Sequence, residues 1–234
     1  MKIFPAKQVI VLLLSLASFF AIPLHLPAQG GGLYTNGQAS YMFIFGKMDG
    51  EDALVGDNDI FLLPRFKGGL GYGGSIGFMG KDSTHLMGLR YERATFQATY
   101  QEETLGKATY NYVGMEHSFF IPADFLPLMN GRPVLKFYAT GGVGVGFMNV
   151  PDGHLSLSGF KRDATLTSVA LPFGGGMLFQ PWKPVALHLG IVYKFAFLIR
   201  AQSEQAGSQN FEISSTAGTG GLMFNTGLWF VFGK

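Results

Sequence analysis

Arg90 and Glu92, two residues apart, and His188, Lys194 and Arg200, spaced by six, are the ionisable side chains whose positions point to chemistry. In an extended chain, residues of one parity share a face. Arg90 therefore joins Glu92 on one wall, His188, Lys194 and Arg200 line another, and Glu116 and Lys136 take the same even register in segments of their own. Carboxylates and cations held in a low-dielectric interior must pair and hydrogen-bond, because an unpaired buried charge is costly. The expected arrangement is a salt-bridge network of Arg90, Glu92, Glu116, Lys136, His188, Lys194 and Arg200. Within it Glu116 faces Lys136 across a hairpin centred near Leu126, and Arg90 reaches the same carboxylate from the other side. Inward glycines, among them Gly73, Gly142, Gly144, Gly176 and Gly227, make room for the long charged chains.

Other reactive groupings are less complete. His154-Leu155-Ser156 sets a base beside a hydroxyl, with no separate carboxylate to orient the imidazole, and is read as a solvated loop. His85, His117 and His188 lie in three different segments without ligand spacing, and there is no Cys, so neither a metal site, a cofactor nor a catalytic residue is expected. Asp49, Glu51, Asp52, Asp57 and Asp59 offer hard oxygens without a calcium-loop pattern and read as a solvated acidic loop. In the same loop Ile60, Phe61, Leu62 and Leu63 precede Pro64. Such an apolar run either extends the next strand, tucks over a mouth, or presents a patch to a partner protein or lipid.

The elements that must position these residues are long and alternating. From Val185 to Arg200 every odd residue is apolar or aromatic, a period of two that means one strand with one apolar face. Seven further stretches repeat the pattern, at about 38–47, 67–80, 85–101, 108–121, 134–150, 165–180 and 215–232. Pro122, Pro127, Asn130-Gly131 and Pro133 interrupt one link, and Pro151-Asp152-Gly153 and Pro181-Trp182-Lys183-Pro184 mark others. Pro172, inside the sixth stretch, implies a bulge or a lost ladder bond. Hydrophobic residues make up 47% of the chain, yet beyond the N-terminus they are dispersed in alternation rather than gathered into a spanning helix. An even count lets the last strand pair with the first and abolishes both edges, so the expected fold is all-β: a closed up-and-down antiparallel transmembrane barrel of eight strands. Its external loops follow strands one, five and seven.

Residues 1–28 read as a secretory signal, with Lys2 and Lys7 before the apolar stretch Val9 to Ile22 and a cleavage point after Leu26-Pro27-Ala28, leaving 29–234 as the barrel domain. Without Lys2 and Lys7, the 17 Lys and Arg fall to the level of the 15 Asp and Glu, so charge gives no reason to expect nucleic-acid binding.

With its signal, its eight amphipathic strands and the aromatic end Leu228-Trp229-Phe230-Val231-Phe232, the mature chain resembles the small outer-membrane barrels of the OmpA/OmpX type. It is most similar to their Gly- and aromatic-rich version in Bacteroidetes-like envelopes. The resemblance implies an integral outer-membrane protein in contact with lipid and lipopolysaccharide and folded by the barrel assembly machinery. It implies a structural or surface-interaction role, with a lumen plugged by charged residues and specificity in the external loops, where a protein partner would bind. A small porin-like channel or transporter is the alternative, and a lipid A-modifying enzyme a third.

Overall fold

A computed structural model describes residues 32–46, 53–55, 60–62, 64–80, 84–100, 103–121, 128–129, 132–155, 161–180, 184–203, 210–211 and 218–232. The signal segment and the acidic positions Asp49, Glu51, Asp52, Asp57 and Asp59 lie outside these residues. Eight long strands form the wall: β1 (Gly32–Gly46), β2 (Gly69–Met79), β3 (His85–Tyr100), β4 (Glu103–Ile121), β5 (Leu135–Leu155), β6 (Lys161–Phe179), β7 (Val185–Ser203) and β8 (Gly218–Phe232). Each pairs antiparallel with its sequence neighbours. β8 then pairs with β1 from Gly46–Thr219 to Leu33–Phe232, so the eight-stranded wall closes.

Closure follows from the alternation. On β2, Leu70, Tyr72, Ile76 and Phe78 point outward and are exposed; on β7, Leu187, Leu189, Ile191, Phe195 and Phe197 do the same. On β1, β3, β4 and β8 the outward residues Tyr41 and Phe43, Leu89 and Tyr91, Val113 and Met115, and Phe224 and Leu228 are likewise exposed, while Leu135, Phe137, Val143 and Leu171 of β5 and β6 are half covered. Val169, expected outward, keeps that register but is only 8% exposed, between its ladder partners Val145 and Phe197. An apolar outer band with every backbone edge paired is the surface a barrel presents to hydrocarbon. No helix among the described residues is long and apolar enough to cross a membrane.

Three irregularities adjust the wall. At the outer end of the β3–β4 hairpin Ala98 faces Gly106 while Thr99 faces Thr104, so Leu105 is an extra residue. Gly106 there adopts φ 148°, a backbone that side-chain-bearing residues rarely take. On β7, Thr167 faces Arg200 while Ser168 faces Leu198, which makes Ile199 the extra residue of a second bulge. At Pro172 the β5–β6 ladder lapses between the pairs Gly141–Phe173 and Gly144–Ala170 and resumes in the same register, the local loss a proline imposes.

The first outer loop does not stand free. Arg65–Phe66 continues β2 against Thr99 and Ala98 of β3. Ile60–Leu62 pairs with Ala53–Val55 on one side and with His154 and Leu155 of β5 on the other. It takes the outer edge of β5 beyond Asn149, where the β4–β5 ladder ends. The described parts of the loop thus pair with both β3 and β5, and Phe66 is buried against Phe96.

The outward register makes a direct test. Ile191→Arg sets a charge on the apolar band and should lower unfolding free energy in lipid vesicles by about 2–4 kcal/mol if it lies near the bilayer midplane. A guanidinium titration checks it, and a change below about 0.5 kcal/mol would mean that this face is not in hydrocarbon.

Candidate functional site: an ion-pair belt across the lumen

Inside the wall the even residues of β1 and β3 to β7 and the odd residues of β2 and β8 converge. Glu92 on β3 is the junction. Arg90, its neighbour on the same face, donates from Nε to Glu92 Oε1 at 2.6 Å and from Nη1 to Glu116 Oε2 on β4 at 2.8 Å. Its Nη2 lies 2.5 Å from Glu92 Oε1 without a hydrogen-bonding direction. Lys194 reaches in from β7 and donates to the other oxygen, Oε2, of Glu92. Two cations and two carboxylates therefore form one neutral, connected group that ties β3 and β4 to β7.

The surroundings complete it. Gln38 Nε2 donates to Glu92 Oε1 at 3.1 Å, and the Tyr34 hydroxyl donates to Glu116 Oε1 at 3.2 Å. Next to them Asn36 and Ser75 exchange two bonds, Asn36 Nδ2 to Ser75 Oγ at 2.6 Å and Ser75 N to Asn36 Oδ1 at 2.9 Å. Lys194, 1% exposed, lies with Nζ 4.3 Å from the ring centre of Tyr112 and 5.5 Å from that of Tyr110, so its charge meets π-faces on the side away from Glu92.

Apolar layers lie above and below the belt. Toward the outer end Met42, Phe96, Tyr110, Tyr112, Met148, Leu166, Val192, Leu198 and Met223 pack together, interrupted by a cavity of about 30 Å³ bordered by Met42, Ile44, Met148, Leu198 and Lys194. Toward the inner end lie Tyr34, Leu86, Tyr138, Leu178, Ala186 and Trp229. Many inward glycines serve rings rather than charges: a Cβ at Gly144 would stand 2.7 Å from Tyr112 Cε2, and one at Gly146 2.7 Å from Tyr110 Cε2.

The structure brings together four of the seven expected lumen residues, Arg90, Glu92, Glu116 and Lys194. His188 is buried in the same lumen but bonds to the Tyr138 hydroxyl, not to a carboxylate. Lys136 is not opposite Glu116. Glu116 faces Gly142, Phe137 pairs with Ile121, and Leu128–Met129 pairs with Arg132–Pro133, a register that a hairpin centred near Leu126 does not allow. Lys136 instead sits half-buried with Nζ 5.7 Å from the ring centre of Phe120. Arg200 is exposed: the extra residue Ile199 turns it to the outward register opposite Thr167. His154 and Leu155, read as loop, are strand residues of β5, and Ser156 is outside the described residues. Of the apolar run in the first loop, Ile60–Leu62 is a strand and Leu63 is outside the described residues.

Tyr34, Asn36 and Ser75 were not anticipated. β1 begins at Gly32, six residues before the alternation looked convincing, so Tyr34 and Asn36 fell outside it although their even parity was readable.

Sequence comparison matches no protein-family model and no curated protein. Among solved structures, the chain is similar to Neisserial surface protein A, with 11% identity, TM-score 0.48, and coverage of 86% of this chain and 99% of that one. It is similar also to the outer membrane protein OprG from Pseudomonas aeruginosa, with 11% identity, TM-score 0.48, and coverage of 88% and 97%. The attachment invasion locus protein Ail of Yersinia pestis gives 17% identity, TM-score 0.32, and coverage of 86% and 99%. The barrel described above rests on the registers of its own strands.

Removing Glu116 should strand Arg90 inside the belt. Glu116→Ala is expected to lower unfolding free energy in detergent by about 3–5 kcal/mol, the usual cost of breaking a buried pair from one side. Its effect should add to that of Lys136→Ala, since Glu116 faces Gly142 while Lys136 lies against Phe120; a coupling above about 1 kcal/mol between them would restore the pairing that the register denies.

Proposed function

We propose that this chain is an integral outer-membrane barrel with a closed lumen, exported by the signal at residues 1–28, whose role is structural or surface-interacting and whose specificity lies in its external loops. The observation that carries this reading is the connected group Arg90–Glu92–Glu116–Lys194, which crosses the interior between β3, β4 and β7 with packed apolar layers on both sides. An eight-stranded barrel has an interior just wide enough for its own side chains. A conducting path needs a continuous polar lining, and here methionine, leucine and aromatic side chains occupy the outer half. The exposed odd face supports membrane residence, with outer-membrane lipid and lipopolysaccharide as its surroundings and the barrel assembly machinery as the route to insertion. The first loop, with Ile60, Phe61, Leu62 and Leu63 beside an acidic stretch, is the part offered to a protein partner. The reading involves no cofactor, no nucleic acid and no catalytic step.

Conductance separates this from a small channel. Refolded protein in planar bilayers should give no stepwise currents above the lipid baseline. Regular unitary steps from the unaltered protein would overturn the closed-lumen reading.

A further inference from the structure

Among the described residues, Arg90 Nη2 on β3 and the Tyr112 hydroxyl on β4 are buried singly without a hydrogen-bond partner, whereas four such atoms gather on the inner face of β7 and β8: His188 Nδ1, Trp229 Nε1 and both Asn225 Oδ1 and Nδ2. These three side chains are 2%, 3% and 5% exposed. They are neighbours in the ladder: Gly190 pairs with Asn225, His188 with Gly227 and Ala186 with Trp229. The His188 and Trp229 ring centres are 5.5 Å apart, and Tyr138, bonded to His188, closes the side facing β5.

The floor of this patch is bare of side chain at Gly190. A Cβ added there would stand 2.4 Å from Asn225 Oδ1, 2.6 Å from the Tyr138 hydroxyl and 2.9 Å from His188 Nε2, so three polar tips converge over one glycine. Leaving a buried donor or acceptor unsatisfied costs about 1–3 kcal/mol each. Four such atoms in one patch, inside a wall with no sign of local irregularity, call for a ligand that is small, neutral, and both donor and acceptor.

We propose that the His188–Asn225–Trp229 patch is a binding site for ordered water that completes the polar layer beside the Glu92–Lys194 link. A buried water makes about three hydrogen bonds, so about two molecules meet the demands of Trp229 Nε1, His188 Nδ1 and the Asn225 amide. Asn225 is the residue that fixes them, because its amide alone offers donors and an acceptor together. The layer then combines direct ion pairs that link β3, β4 and β7 with solvent-mediated bonds at the inner face of β7 and β8.

Water-selective NMR on the refolded protein in detergent micelles tests this. The Trp229 indole proton should show a cross-peak to long-resident water, of a sign that separates bound water from rapid exchange, and Asn225→Leu should abolish it while lowering the melting temperature by several degrees. Where Asn225→Leu does not refold, Asn225→Ser, which keeps a hydroxyl in a smaller side chain, should retain the cross-peak at lower intensity. An indole proton with no water contact in the native protein overturns the proposal. So does an Asn225→Leu variant that melts at or above the native temperature, because an unligated amide gains from replacement by an apolar isostere.

Discussion

A carboxylate as buried as that of Glu92 stays ionised inside a protein only while cations and donors surround it, and in a barrel of eight strands those partners have to come from the wall itself. Arg90 supplies one from the same strand, Lys194 another from across the lumen, and Gln38 a third from β1. The two from other strands are useful only if the strand registers are right to within one residue, since a slip of one would turn the donor to the outer face. The belt and the closure of the wall therefore specify each other.

The layers to either side follow from the same geometry. With the charges gathered at one level, the remaining inward positions are free to be apolar, and the chain fills them with rings and thioethers over a floor of glycines. The tyrosines tie the layers to the belt: Tyr34 is part of the inner layer and gives its hydroxyl to Glu116, and Tyr112 is part of the outer layer and offers its ring to Lys194. A barrel filled this way carries an apolar band on the outside of its wall and its own packed side chains within.

The fold could be read from the sequence because its signal has a period of two and runs for fifteen residues or more, as in Val185 to Arg200. The site could be read only as far as parity carries. Parity put Arg90, Glu92, Glu116 and Lys194 inside, and it failed where the structure breaks it. The extra residue at Ile199 has no mark in the alternation, which continues apolar on odd positions through it, so Arg200 was placed on the wrong face. The partner of Glu116 depended on where the chain turns between Ile121 and Val134. Three prolines and Asn130-Gly131 left several choices there, and the pairing of Leu128–Met129 with Arg132–Pro133 goes against a hairpin centred near Leu126. The apolar lumen was legible in principle, since Met42, Phe96, Tyr110 and Leu166 share the parity of the charged residues; following the charges alone concealed it.

The link between Glu92 and Lys194 is where the wall, the belt and the closed interior meet, and a double-mutant cycle measures it most directly. Unfolding free energies of the native protein, Glu92→Gln, Lys194→Met and the combination, taken in the same detergent, should give a coupling of more than about 1 kcal/mol, with the double variant more stable than the singles sum to. Additive single effects, within about 0.3 kcal/mol, would mean that no interlocked pair spans the lumen.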